Sequence, residues 1–319
     1  MLYLRNLQLY TQLGMKVQKL HRVLAFNQKA YLATYIQFNT EKRQRARSDF
    51  EKDLYKLLSN AVYGKPIEQL RSCTHIKLIS DRQMAQRYIR KPMCKTFHVI
   101  NEDLIMFHLG KQKIQMIKPI FARMVVLDIA KTVVYEMHYS YVLNKFSSDK
   151  AKLLFTNTDS LTYSIKTDDI YEDILPDATK HFDCSEYPEM HKLYSTANRK
   201  RLNKWKDENS KSEPIKQFVG IRAKMYSLWC ERKSDSKLKA KGIVKAYRQR
   251  RLRHKHFVRA LRMQTTMKAR FWQIRSSTHN LKTVFVSKSS LNPNDCKRYV
   301  LPGGIDTLPY GHCSLRPLS

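Results

Sequence analysis

Two short stretches place side chains of complementary chemistry at useful spacing. In Lys56-Leu-Leu-Ser-Asn-Ala-Val-Tyr-Gly-Lys65, the residues Lys56, Asn60 and Tyr63 recur at i, i+4 and i+7, so a helix presents them on one face. That face offers a cation for phosphate, an amide for a sugar or base edge and a ring for stacking, the contacts an incoming nucleotide needs. An amphipathic helix closed by Gly64 has the same pattern. In Asn157-Thr-Asp-Ser160 a single carboxylate, Asp159, stands among turn formers. At a strand-end turn such a group can hold Mg2+ while substrate phosphates and other oxygens complete the octahedron. An aspartate in a turn also caps backbone amides, and four residues do not choose between the two roles.

The elements that must position these groups follow from periodicity. Asn39-Thr40 before Glu41-Lys-Arg43 reads as a helix start, and the apolar residues Phe50, Leu54, Leu57, Leu58 and Ala61 carry that helix to a stop at Gly64, before Pro66. Four runs, 75–79, 97–100, 104–109 and 113–117, are short and apolar or alternating, and predict strands of an antiparallel sheet. Helical spacing returns from Pro119 to about Lys145, with Ile120, Met124, Leu127, Val134, Met137 and Tyr141 on one face of a core helix. Lys152–Thr156 and Leu161–Ile165 flank the Asp159 turn and predict a β-hairpin with the carboxylate at its tip. Residues 232–256 hold 11 Lys and Arg against one acid, Asp235, among helix formers, and the Pro- and Gly-containing tail from Pro302 predicts irregular chain.

Composition narrows the partner. The 319 residues carry 60 Lys and Arg against 27 Asp and Glu, a formal net charge of +33. Self-repulsion of that size opposes compaction unless a polyanion neutralises it, and nucleic acid does so with release of condensed counterions. With 18 Tyr, 13 Phe and 12 Met the chain has too much core for a basic tail. No run is long and apolar enough for a membrane span or a secretory leader, which predicts an intracellular, nuclear or cytoplasmic protein without membrane attachment. The six scattered cysteines form no C-x-x-C pair, so neither a disulfide framework nor a zinc site is expected.

In order and with their flanks, these segments resemble the C-terminal half of a family B DNA polymerase, closest to the protein-primed branch of Maverick/Polinton-type transposons and related viruses. Lys56 to Gly64 is similar to motif B, K-x-x-x-N-[SA]-x-Y-G, on the finger helix that binds nucleotide. Asn157-Thr-Asp-Ser160 is similar to motif C, usually D-T-D-S, on the palm hairpin. Lys224-Met-Tyr226 resembles the K-x-Y segment that grips the primer end. Tyr3-Leu-Arg-Asn-Leu7, Phe38–Lys42, Lys239–Gly242 and Lys297–His312 resemble recurrent family segments, so the likeness covers nearly the whole chain.

The resemblance implies an α+β fold: helical fingers with motif B over 1–70, an antiparallel palm sheet with packed helices over 71–230, and a mostly helical basic thumb with a C-terminal tail over 231–319. It implies DNA-directed DNA synthesis by a two-metal mechanism with Mg2+, the partners being primer–template DNA, dNTPs and, in an intact member, a terminal protein. Asp159 would bind metal as the catalytic carboxylate. Lys56, Asn60, Tyr63 and Gly64 would form the nucleotide pocket, Lys224 and Tyr226 would hold the primer strand, and Lys239, Lys241, Arg250 and Arg251 would track duplex phosphates.

Two departures reduce the expected chemistry. The family's motif A supplies a metal-binding Asp upstream of motif B, but residues 1–55 contain only Asp49 and Asp53 as aspartates, both in the expected helix leading into motif B; the exonuclease region is also absent. The first Asp of motif C is Asn157, which keeps a carbonyl acceptor and drops a charge. By analogy with stripping one partner from a buried ion pair that loss costs about 3–5 kcal/mol, or roughly 10²–10⁴ in rate. The expectation is therefore a polymerase-derived chain with little or no nucleotidyl transfer of its own, and its alternative is a non-catalytic basic DNA-binding remnant.

Overall fold

The computed structural model describes residues 2–209, 215–230, 237–277, 280–303, 306–312 and 314–315. The chain is α+β, the strands described below pair antiparallel, and it divides into two compact units, 1–133 and 134–319. Among the described residues no helix is long and apolar enough to cross a membrane, and five cysteines are free, Cys313 lying outside them.

The first unit opens with α1 (Leu4–Gln12), α2 (Ala33–Arg45) and α3 (Asp49–Gly64). The start of α3 differs from the sequence expectation. Asn39 and Thr40 lie inside α2, where their side chains donate back to the carbonyls of Tyr35 and Ile36, a bonding mode compatible with a helix interior. The actual cap is Ser48: its hydroxyl accepts from the Glu51 amide while the Glu51 carboxylate accepts from the Ser48 amide, a reciprocal capping box. Nor does Gly64 stop the chain in a left-handed conformation. Its φ is −76°, and the helix tightens into a 3-10 turn over Lys65–Ile67.

Next come β1 (His75–Ile79), α4 (Arg82–Ile89), β2 (Cys94–Asn101) and β3 (Leu104–Leu109), forming a sheet of order β1-β3-β2. Ile79, Ala85, Phe107 and Leu109 make its small core against α4, which Asp81 caps by accepting from the Met84 amide. The strand expected over 113–117 is irregular chain instead. Helix α5 (Ile120–Tyr135) buries Asp128 and Thr132 rather than a purely apolar stripe. These groups tie down α1: the Tyr3 amide donates to Asp128 at 2.9 Å, and the Thr132 hydroxyl donates to the side-chain oxygen of Asn6.

The second unit begins on the same long helical run, which passes through a π-helical turn (Glu136–Val142) into α6 (Leu143–Lys150). Strands β4 (Ala151–Asn157) and β5 (Ser160–Ile165) form the expected hairpin, followed by short α7 (Ile170–Ile174) and α8 (Ala178–His181). Then β6 (Gln217–Arg222), β7 (Met225–Trp229) and β8 (Lys237–Ala240) make a three-stranded sheet. Helices α9 (Lys245–Arg251) and α10 (His254–Arg262) lead to the long hairpin β9 (Met267–Ser277) and β10 (Asn280–Leu291), and the small pair β11 (Arg298–Val300) and β12 (Thr307–Pro309) closes the described chain.

Two expectations are corrected here. In place of one antiparallel sheet over 71–230, the described strands there fall into separate two- and three-stranded sheets. The basic C-terminal part is not mostly helical either, because β9 and β10, the two longest strands described, outweigh α9 and α10. Charge had hidden them: Ala269, Phe271, Val284 and Val286 recur at a strand period, with Arg270 between the first pair and Phe285 between the second. Their inward residues join Val219, Met225, Leu252 and Phe257 in one apolar core that binds β6–β8, α10 and the hairpin base.

A polar relay pins α10 to that sheet. His254 Nδ1 lies 2.7 Å from the buried Ser227 hydroxyl, and His254 Nε2 lies 2.8 Å from the Gln217 side-chain oxygen. The neutral ring satisfies both, with Nε2–H donating to Gln217 and Nδ1 accepting from Ser227. Burial lowers the His254 pKa from its ordinary 6.5. A depressed histidine stabilises the fold above its unfolded value and loses that contribution as the pH falls through it. We therefore expect the urea midpoint to drop between about pH 7 and pH 5, and to drop less in His254→Gln; equal drops would contradict the assignment.

Candidate nucleic-acid interface

The β4–β5 hairpin turns at Thr158 and Asp159, closed by the pair Asn157 and Ser160. The Asp159 amide donates to the Asn157 carbonyl at 2.8 Å, and Thr158 between them has φ +61°, the pattern of a strained γ-turn. A β-branched residue in the left-handed region is uncommon, and such strain is concentrated where a loop must aim a side chain. Here it presents an exposed carboxylate at the tip, with Asn157 half-buried beneath it and the Ser160 hydroxyl folded back onto the Asn157 carbonyl.

Tip and K-x-Y segment belong to the same packed unit. Phe155 of β4 stacks on Phe218 of β6 and lies 4.5 Å, centroid to centroid, from Tyr226 of β7. Tyr226 is only 8% exposed, and burial raises its phenol pKa, so its ring serves as the joint between hairpin and sheet. Lys224 is exposed in the β6–β7 turn with φ +61°, and its carbonyl accepts from the Lys241 amide. Lys239 pairs across from Tyr226 on β8. Lys239, Lys241, Arg250 and Arg251 are all exposed, the two arginines at the C-terminal end of α9, where cations suit the helix dipole.

These cations sit within a longer acid-free stretch. Residues 237–294 contain 16 Lys and Arg and no Asp or Glu. Among the described residues the one ion pair made from this stretch is Lys237 with Glu208. From Lys239 to Lys288 no Lys or Arg makes a further ion pair among the described residues, and Glu208, already paired with Lys237, is the carboxylate that also feels Lys239.

In the other unit, Lys56 and Asn60 are exposed on α3, and Tyr63 is half-buried on the same helix. Sequence reading missed its neighbour: the Arg123 guanidinium of α5 covers the Tyr63 ring at 4.6 Å. No motif marks Arg123, because only the fold brings α5 to α3. Open space surrounds Gly64, so a side chain there would meet nothing.

Asp159 contributes one carboxylate and Asn157 a neutral amide, and among the described residues no group of three or more His, Cys, Asp or Glu could hold a metal ion.

The left-handed φ at Thr158 yields a direct test of the turn. Thr158→Gly relieves strain of about 1–3 kcal/mol while raising unfolded-chain entropy, so unfolding free energy by urea titration should rise by about 1 kcal/mol; a decrease would contradict the turn geometry. Searches against known proteins add no relative to this geometry: no family model matches the chain, and neither a curated protein nor a solved structure does.

Proposed function

We propose that the chain is the finger-helix, palm and thumb part of a DNA-directed DNA polymerase of the protein-primed family B type, and that by itself it grips primer–template DNA with little or no nucleotidyl transfer. The observation that best supports this reading is the ring contact between Phe155 and Tyr226, which packs the strand leading to Asp159 directly against the Lys224-Met-Tyr226 strand. In a polymerase the hairpin carboxylate and the primer grip must keep a fixed separation, because the primer 3′-hydroxyl is aligned on the α-phosphate between them.

In this reading Lys224, Lys239, Lys241, Arg250 and Arg251 take duplex phosphates, and Lys56, Asn60 and Tyr63 provide the nucleotide-facing side of α3. The family's chemistry uses two metal ions to clamp attacking and leaving oxygens. The lone Asp159 carboxylate beside neutral Asn157 falls short of that donor set, which favours retention of binding over catalysis. The same observation supports the second reading, a basic DNA-binding remnant of a transposon or viral polymerase.

Primer extension with Mg2+ and all four dNTPs should give no product above background, while fluorescence anisotropy shows duplex binding. Asp159→Ala should leave the duplex Kd within about twofold, and Arg250→Ala combined with Arg251→Ala should weaken it by about 3- to 10-fold through lost phosphate contacts. Robust synthesis abolished by Asp159→Ala would overturn the non-catalytic part of the proposal. Failure to bind duplex DNA would overturn all of it.

A further inference from the structure

The β9–β10 hairpin has two different faces. Ala269, Phe271, Val286 and Leu291 turn inward to the apolar core. The opposite face carries Lys268, Arg270, Trp272 and Ile274 on β9, and across from them Ser289, Ser287, Phe285 and Thr283 on β10. Trp272 and Phe285 form a directly opposed cross-strand pair with centroids 5.1 Å apart, yet they are 65% and 52% exposed. Burying these rings in the core was open to the fold, since one residue of register exchanges the two faces. Instead the apolar pair lies on the solvent side, beside cations.

We propose that this outer face is a binding site for single-stranded nucleic acid, with unpaired bases stacking on Trp272 and Phe285 and phosphates held by Arg270 and Lys268. Each part of the chemistry matches. Same-face neighbours on a strand lie about 7 Å apart, so Arg270 and Lys268 form a cationic row leading away from the rings. The ribbon 267–291 contains five Lys and Arg and no acid, and the neighbouring α9 and α10 surfaces continue the positive charge. Ser287 and Ser289 add hydroxyls directly across from Arg270 and Lys268, and Thr283 adds one across from Ile274 on the other side of the rings. Ring faces are open to bases only when those bases are unpaired; in a duplex each base is covered by its neighbours. The site therefore differs in ligand from the duplex grip proposed for Lys224 to Arg251 and does not depend on it. A membrane surface would also welcome cations and aromatics, but the interleaved Ser and Thr residues break the continuous apolar face that insertion requires.

The test uses the full chain, a labelled oligothymidylate and a blunt duplex of the same length. Trp272→Ala and Phe285→Ala should each weaken oligothymidylate binding by about 5- to 100-fold and leave duplex affinity within about twofold. Trp272→Phe keeps a stacking ring, so it should retain oligothymidylate affinity while abolishing the quenching of tryptophan emission that accompanies binding of the unaltered chain. That readout holds even where an alanine variant loses its fold. Unchanged oligothymidylate affinity in both alanine variants would overturn the proposal, as would a parallel loss of duplex affinity or persistent quenching in Trp272→Phe. Loss of binding to phosphatidylserine vesicles with oligothymidylate affinity intact would assign the face to membranes instead.

Discussion

Uncompensated positive charge is the constraint under which the rest of this chain is arranged. A net charge of +33 is spread unevenly, and residues 237–294 hold no acid at all. Exposed charges interact over roughly a Debye length, about 8 Å at physiological salt, so the cations of α9, α10 and the hairpin repel one another within the folded unit. The apolar core of Val219, Met225, Leu252, Phe257, Ala269, Phe271 and Leu291 holds these elements together against that repulsion. A surface of this kind is stabilised by any polyanion that lies along it, which links folding and binding through the same charges.

The core also determines where chemistry-bearing groups end up. Tyr226 belongs to the β6–β8 sheet, whose inner side packs on α10, and it touches Phe155 of the hairpin that carries Asp159. The Asp159 tip is thus braced at two levels: by the strained turn at Thr158 and by aromatic packing further down β4. Loss of the Tyr226 ring would loosen the carboxylate without touching it. On the solvent side of the same unit, Trp272 and Phe285 are left uncovered beside Arg270. Inward and outward aromatics in this unit therefore differ: one set joins elements, the other lies open to solvent.

Much of the local structure was legible in the sequence. Period-2 runs around Asn157-Thr-Asp-Ser160 announced the hairpin, and those over 75–79, 97–100 and 104–109 announced the first sheet. The i, i+4, i+7 spacing placed Lys56, Asn60 and Tyr63 together on α3. Failures came where local signals competed with tertiary supply. Asn39-Thr40 resembles a cap, but the reciprocal Ser48–Glu51 bonds are better satisfied. The run 113–117 alternates correctly, yet it adds no strand to the β1-β3-β2 sheet. Dense Lys and Arg favour helix locally, whereas the alternation of Ala269, Phe271, Val284 and Val286 decides for β9 and β10 because the core needs a flat apolar face. The burial of Tyr226 and the Arg123–Tyr63 contact were illegible, since both depend on residues distant in sequence.

The claim that a polyanion completes this surface is tested most directly by titrating DNA affinity against salt. Counterion release predicts that log K falls linearly with log[salt], with a slope of about −5 or steeper, as at least five or six phosphates are neutralised. A nearly flat plot would mean that the cations from Lys239 to Lys288 meet no phosphates, and it would contradict the account.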